Sequence, residues 1–160
     1  MLDQLLKLVE QNAKSSIVEN KAIPDQLNNA AIKEVTNQIY NGLKGQVSGG
    51  NMQQVISLFQ SGIGKTTSPV MNNIMETVCE NLTSKFNITP EVAKSVASNL
   101  VPTVMNQVIR RTNDPKDIDF DLQQMLRGMS GNNQLDISSM LTNVQKSSVL
   151  GGVLGKLFGK

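Results

Sequence analysis

Apolar residues recur along this chain at every fourth position, and they do so twice. Leu27, Ala31, Val35, Ile39 and Leu43 form the first run, and Val92, Val96, Leu100, Val104 and Val108 form the second, each 65 positions after its counterpart. Ile23 and Ile88 precede the two runs at the same offset. Further along, Met52-Gln53-Gln54-Val55-Ile56 corresponds to Leu122-Gln123-Gln124-Met125-Leu126 at an offset of 70, so five extra residues fall around Asn113-Asp114-Pro115-Lys116. A connecting loop absorbs such an insertion at little entropic cost.

A spacing of four advances about 40° per step on a helix of 3.6 residues per turn, so the apolar stripe winds around its helix and meets several neighbours. Ile32 and Tyr40 widen the first stripe; Ala93, Ala97 and Met105 widen the second. Each copy, Ile23–Gly62 and Ile88–Gly131, reads as a long helix, a polar turn and a short helix. One copy alone buries too little apolar surface, and it is longer than the usual solenoid unit. The expected fold is therefore all-α: a closed multihelical bundle with an internal two-fold duplication sharing one core. Residues 1–148 are expected to form this duplicated domain, and 149–160 a separate tail.

Punctuation along the chain sets the expected elements. Leu2, Leu5, Leu6, Val9, Ala13 and Ile17 draw a stripe on a helix over Leu2–Asn20. Pro24 suits the first turn of the first repeat helix, where its missing N–H costs nothing. Gly42, Gly45 and Ser48-Gly49-Gly50 are expected to end that helix, and Asn51, with Gln54 for a capping box, to start the short helix Met52–Ser61. Gly62–Thr67 reads as a loop. Ser68-Pro69 begins a helix carrying Val70, Ile74, Met75, Val78 and Leu82 to Lys85 or Phe86. Thr89-Pro90-Glu91 begins the second long helix, closed by Arg110-Arg111 at its negative end. Pro102 lies inside it and predicts a kink near Ser98–Pro102. Asp117–Met129 and Asp136–Lys146 complete the helices.

Composition narrows the function classes. Aromatic residues make up 3% of the 160 residues and apolar ones 39%, so the core must be built from Leu, Ile, Val and Ala with several of the eight Met. Such a core is adaptable. A net charge of +2, with no basic stripe, argues against nucleic acid. Cys79 is the only cysteine, which excludes an internal disulfide. Its neighbours Met75, Val78 and Leu82 predict a buried, inert thiol. Met1-Leu2-Asp3-Gln4 has no basic stretch before a long apolar run, so no signal peptide is expected. No run approaches the roughly 20 apolar residues of a spanning helix. The default compartment is the cytoplasm.

Candidate chemistry is sparse. Gly64-Lys65-Thr66 resembles the end of a phosphate-binding loop, but the first required Gly is Phe59 and a helix, not a strand, precedes it. Asp117-x-Asp119-x-Asp121 starts like a calcium loop, yet the turn glycine is Leu122 and the final Glu is Gly128. These acids are expected to cap a helix. There is no His, the commonest general base and metal ligand. No catalytic, cofactor-binding or metal-binding residue is assigned, and the chain is expected not to be an enzyme. A closed hydrophilic cleft lined by Asp117, Asp119 and Arg110 would reverse that expectation.

The tail differs in kind. Val149, Leu150, Val153, Leu154, Leu157 and Phe158 recur in adjacent pairs every four residues, and Gly151, Gly155 and Gly159 share the period. Four Gly in twelve residues weaken an isolated helix, so the segment orders only against something. Three outcomes stay open: folding back on its own domain, docking on a partner chain through Gly–x3–Gly approach, or lying on a membrane surface.

The opening Met1-Leu2-Asp3-Gln4-Leu5-Leu6, the helical repeats with Gly-bounded short segments, and Val149-Leu150-Gly151-Gly152-Val153-Leu154-Gly155 together resemble the YidB-like family of bacterial proteins of unknown function. The resemblance implies a multihelical bacterial protein and carries over no catalytic residues. The expected role is a non-enzymatic structural or protein-interaction module, homo-oligomeric or bound to a protein partner through the tail residues Val149, Leu150, Val153, Leu154, Leu157 and Phe158. The alternative is a peripheral membrane or apolar-ligand-binding protein.

Overall fold

The computed structural model describes residues 2–62, 68–117 and 120–131. Among the described residues there are six α-helices: α1 (Leu2–Asn12), α2 (Asn28–Gln46), α3 (Met52–Ser61), α4 (Pro69–Phe86), α5 (Pro90–Thr112) and α6 (Leu122–Ser130). The fold is all-α, with no strand among the described residues. The expected helix Asp136–Lys146 and the tail lie outside them.

Both winding stripes are buried. Ala31, Val35, Ile39 and Leu43 on α2, and Val96, Leu100, Val104 and Val108 on α5, lie in one core, with Leu27 and Val92 packed at its margin. Because each stripe turns as it rises, each long helix has two neighbours. Four helices close a ring: α1 packs on α2, α2 on α4, α4 on α5, and α5 back on α1. The short helices cross over, α3 packing on α5 and α6 on α2. At the end of α5 the Asn113 side chain donates to the Phe59 carbonyl of α3 at 2.9 Å. The same 65-position offset relates further buried pairs upstream of the stripes: Leu5 and Val70, Val9 and Ile74, Ala13 and Val78, Ile17 and Leu82.

The core is mostly aliphatic with Met52, Met71, Met105, Met125 and Met129, yet its largest fully buried side chains are Phe59 and Phe120. Full burial of each such side chain contributes about 1.5–3 kcal/mol before the entropic cost of ordering it. Two aromatics therefore supply disproportionate contact area where the short helices meet the ring.

Several local expectations change. The first helix stops at Asn12, and Lys14–Val18 follows as a wider turn in which Val18 N donates to Ala13 O at 3.1 Å and Glu19 N to Lys14 O at 2.8 Å. Leu2, the first residue of α1, remains exposed. Pro24 precedes a short 3-10 turn, Asp25–Leu27, and α2 starts only at Asn28. Gly42 and Gly45 lie inside α2; the chain turns at Gly50, whose φ of 92° favours a residue without Cβ. Asn51 does not cap α3, since its amide donates to Gln46 Oε1 at 2.9 Å instead. α4 and α5 begin where expected, and the Ser68 and Thr89 side chains cap them, accepting from Val70 N and Val92 N. α5 runs from Pro90 to Thr112 with Pro102 inside it, as expected. The second short helix begins five residues later than expected, at Leu122, where Asp121 caps it.

Candidate binding grooves

The tail residues Val149, Leu150, Val153, Leu154, Leu157 and Phe158 lie outside the described residues. Two surface grooves on the ring are described, and both use α5.

The first groove opens where α1 gives way to the Lys14–Val18 turn. It is lined by Asn12, Ser15, Ser16, Asn99 and Thr103, with Gln11, Lys14 and Glu19 at its mouth, and has a volume of about 530 Å³. An adjoining recess of about 240 Å³ adds Asn20, Ser95 and Val96. Asn12 and Gln107 exchange two amide hydrogen bonds, each 3.0 Å, which tie the end of α1 to α5 beside the groove. Asn12 also donates to Leu8 O at 2.7 Å, so its amide is fully engaged. Asn20 closes the turn: it donates to Ser16 O at 3.1 Å and accepts from Ala22 N at 3.0 Å.

The groove is nearly neutral. Lys14 and Glu19 approach to 3.7 Å with side chains 79% and 59% exposed, a pairing of little energetic weight. The remaining lining offers hydroxyls and amides, which orient a ligand through hydrogen bonds and contain no strong base or activated nucleophile.

The second groove, about 440 Å³, runs between α4 and α5 and is lined by Met75, Cys79, Ala97 and Ser98, with Glu76, Glu80, Lys94 and Asn72 on its rims. Cys79 is therefore half-buried rather than enclosed, its Sγ 3.9 Å from the Pro90 carbonyl. The expectation of a buried thiol fails because the helix turns this residue toward the groove, one position past the fully buried Val78.

Two of the acidic residues singled out in the sequence, Asp117 and Asp121, are spent on structure. Asp117 accepts from Arg111 Nε at 2.6 Å, and the Arg111 guanidinium stacks 4.3 Å from the centroid of Phe120. Asp121 Oδ1 accepts from Gln124 N at 3.1 Å. Arg110 is exposed, and Asp119 lies outside the described residues. Among the described residues no group of three or more His, Cys, Asp or Glu is placed to hold a metal ion, and no helix is long and apolar enough to cross a membrane.

The polar groove was missed by a reading that followed apolar positions. Its signal lies in the opposite stripe: Asn12, Ser16 and Asn20, and Ser95, Asn99, Thr103 and Gln107, keep the same four-residue spacing as the core. No family model matches this chain, and no curated protein or solved structure matches it.

Proposed function

We propose that this chain is a non-enzymatic interaction module, built by internal duplication and acting through its surface grooves and its tail. The observation that carries the reading is the use of its charged side chains. Glu34 is held by Lys85, Asp117 by Arg111, and Asp121 by a helix N-terminus, while the groove beside the Lys14–Val18 turn presents mainly amides and hydroxyls next to the Lys14–Glu19 pair. Such a surface recognises; it does not activate a nucleophile.

Duplication is supported by burial and by neighbours together. Buried positions recur 65 apart from Leu5/Val70 through Leu43/Val108, and Val55, Ile56 and Phe59 recur as Met125, Leu126 and Met129 after the loop insertion. Exchanging α1 with α4, α2 with α5 and α3 with α6 converts the α1–α5 packing into α4–α2, and α3–α5 into α6–α2, all of which occur. The two units then embrace by trading their short helices. The kinship to the YidB-like family, the bacterial source and the cytoplasmic location belong to the same proposal and rest on the sequence motifs.

The test is absolute mass in solution for the full chain, for a chain ending at Ser148, and for full-length Leu154→Asp. An oligomer that falls to monomer in both altered chains supports assembly through the tail. Three monomers remove self-assembly from the reading.

A second reading, an apolar-ligand-binding or peripheral membrane protein, is favoured by the Met75, Cys79 and Ala97 lining of the α4–α5 groove. Pelleting with anionic vesicles at low salt checks its membrane form; no association removes it.

A further inference from the structure

The α4–α5 groove has an apolar floor that the fold itself does not require. Met75 and Cys79, both half-buried, stand four residues apart on α4, and Ala97 lines the same groove from α5. Sixty-five positions earlier the chain has the exposed Glu10 and Lys14 in place of Met75 and Cys79, and the larger Ile32 in place of Ala97. The core positions beside them are buried alike, Val9 and Ala13 in one case, Ile74 and Val78 in the other. Two apolar side chains thus replace two charges on an otherwise comparable surface, and their exposed area is available for burial against a further element.

The rims are charged unevenly. Glu76 and Glu80 stand four apart on the α4 rim, and among the described residues neither carboxylate takes an ion pair; Lys94 stands on the α5 rim. The tail carries the complement. On a helix of 3.6 residues per turn, the sequence of 149–160 puts its six apolar side chains on one half of the circumference and its four glycines on the other. Lys156 and Lys160, also four apart, fall on a single edge beside Val149 and Val153, while Leu154 and Phe158 form the opposite, uncharged edge. With the apolar half on the groove floor, the lysine edge runs along Glu76 and Glu80. Residues four apart repeat every ~6 Å on both helices, so one register serves both ion pairs.

We infer that the α4–α5 groove is the docking site of the chain's own tail, 149–160. The tail seats its apolar half on Met75, Cys79 and Ala97 and pairs Lys156 and Lys160 with Glu76 and Glu80. Its glycines weaken a solitary helix, which suits an element that orders only where the groove receives it.

Reach selects the tail of the same chain. The 17 residues 132–148 join Gly131 to the tail. Extended at roughly 3.3–3.6 Å per residue they span about 56–61 Å; with 136–146 helical, as the sequence predicts, they span about 37 Å. A domain of this size has a radius of gyration of about 14 Å and so a diameter of about 36 Å. The link also starts nearby, since α6 packs on α2 and α2 packs on α4. A link that spans its sites holds the tail beside its own groove at an effective concentration of about a millimolar, which a second copy matches only in concentrated solution. Intramolecular docking rests on the reading of the tail as an adhesive element and names the surface that it meets.

Cys79 is the only cysteine and lines the groove, so its rate of reaction with N-ethylmaleimide reports whether the groove is covered. The full chain is compared with full-length Leu154→Asp, which disrupts the apolar half of the tail and leaves the groove residues untouched. Leu154→Asp is expected to react about fivefold faster or more, with the same ratio from about 1 to 100 μM protein, as an intramolecular contact requires. The double variant Glu76→Lys/Glu80→Lys is measured with and without Leu154→Asp, because a nearby charge itself alters thiol reactivity. Its ratio should fall about twofold or more, and adding Lys156→Glu/Lys160→Glu should restore it. Equal rates with and without Leu154→Asp, a ratio unmoved by reversing the acids, or no recovery in the charge-swapped chain overturns the inference. A ratio that vanishes on dilution also overturns it, by placing a second copy's tail in the groove. The mass measurement fails separately: oligomers whose Cys79 is indifferent to Leu154→Asp remove the groove docking alone, and monomers with a shielded Cys79 remove self-assembly alone.

Discussion

Gly42 of α2 lies against Ile74 of α4 so closely that a Cβ placed on it would be 2.7 Å from Ile74 Cγ1. The residue 65 positions later is Gln107, whose amide instead bonds to Asn12 and ties α5 to α1. A close backbone approach thus joins one helix pair where an amide pair joins the other.

Gly42→Ala tests the close pair. Helix propensity alone would stabilise it by about 1 kcal/mol, whereas forcing a methyl against a fully buried side chain costs about 1–3 kcal/mol. The packing term wins, and a net loss of about 1 kcal/mol is expected in urea unfolding. In an Ile74→Ala background the clash disappears and the same substitution becomes stabilising. Loss of equal size in both backgrounds would show that Ile74 is not the obstacle.

The buried carboxylate of α2 gives a second prediction. Glu34 is 9% exposed and is reached by Lys85 at 3.1 and 3.2 Å and by Gln38 at 2.7 Å. Lys85→Ala leaves it with Gln38 alone and is expected to cost about 1–2 kcal/mol, since a buried charge loses its compensation. The Lys85 side chain is 54% exposed, and water replaces part of the lost contact, which keeps the effect at this level. Glu34→Gln added to Lys85→Ala is expected to recover stability. If the double variant is less stable than Lys85→Ala, the carboxylate is not the source of the penalty.

These two sites mark the boundary of what the sequence discloses. The helices and the apolar face of each were legible, because a repeated four-residue stripe has one simple solution. Met52–Ser61 was read to the residue. The polar positions were harder: Glu34, Asn99 and Gln107 all look like solvated-face residues until the partner helix is known. Gly42 and Gly45 read alike as helix stops, yet one is a contact glycine and the other meets nothing within 4 Å. Asp117 was assigned to a helix start, but its choice of Arg111 over the α6 N-terminus depends on the six-residue return of the chain after α5. Pairings across elements, not element types, were out of reach.

Helix caps supply a third prediction, in which sequence and structure disagree. Asn51 and Asp121 occupy matching positions before α3 and α6, and both are good capping residues. Only the Asp121 side chain accepts from its helix, at Gln124 N; Asn51 is turned to Gln46. Asp121→Ala is expected to destabilise by about 1 kcal/mol, and Asn51→Ala by less than about 0.5 kcal/mol. Thermal unfolding of the two variants under one condition checks the difference. Equal losses would mean that Asn51 returns to the cap in solution.

The link between α5 and α6 is held by an arginine that does two things at once. Arg111 bonds to Asp117 through Nε at 2.6 Å and Nη2 at 3.4 Å, and its plane lies over the buried Phe120. Arg111→Lys keeps the charge but loses the planar fork and the stacking, so a cost of about 1 kcal/mol is expected rather than none. The loss is local, because Phe120 and Asp117 anchor the segment leading to α6. Hydrogen exchange is the decisive readout: amides of Leu122–Ser130 should exchange about fivefold faster, while those of α4 and mid-α5 stay protected. Uniform acceleration throughout the chain would place Arg111 in the global stability of the bundle instead. Unchanged exchange in α6 would show that the ion pair and the stack do not hold the short helix on the ring.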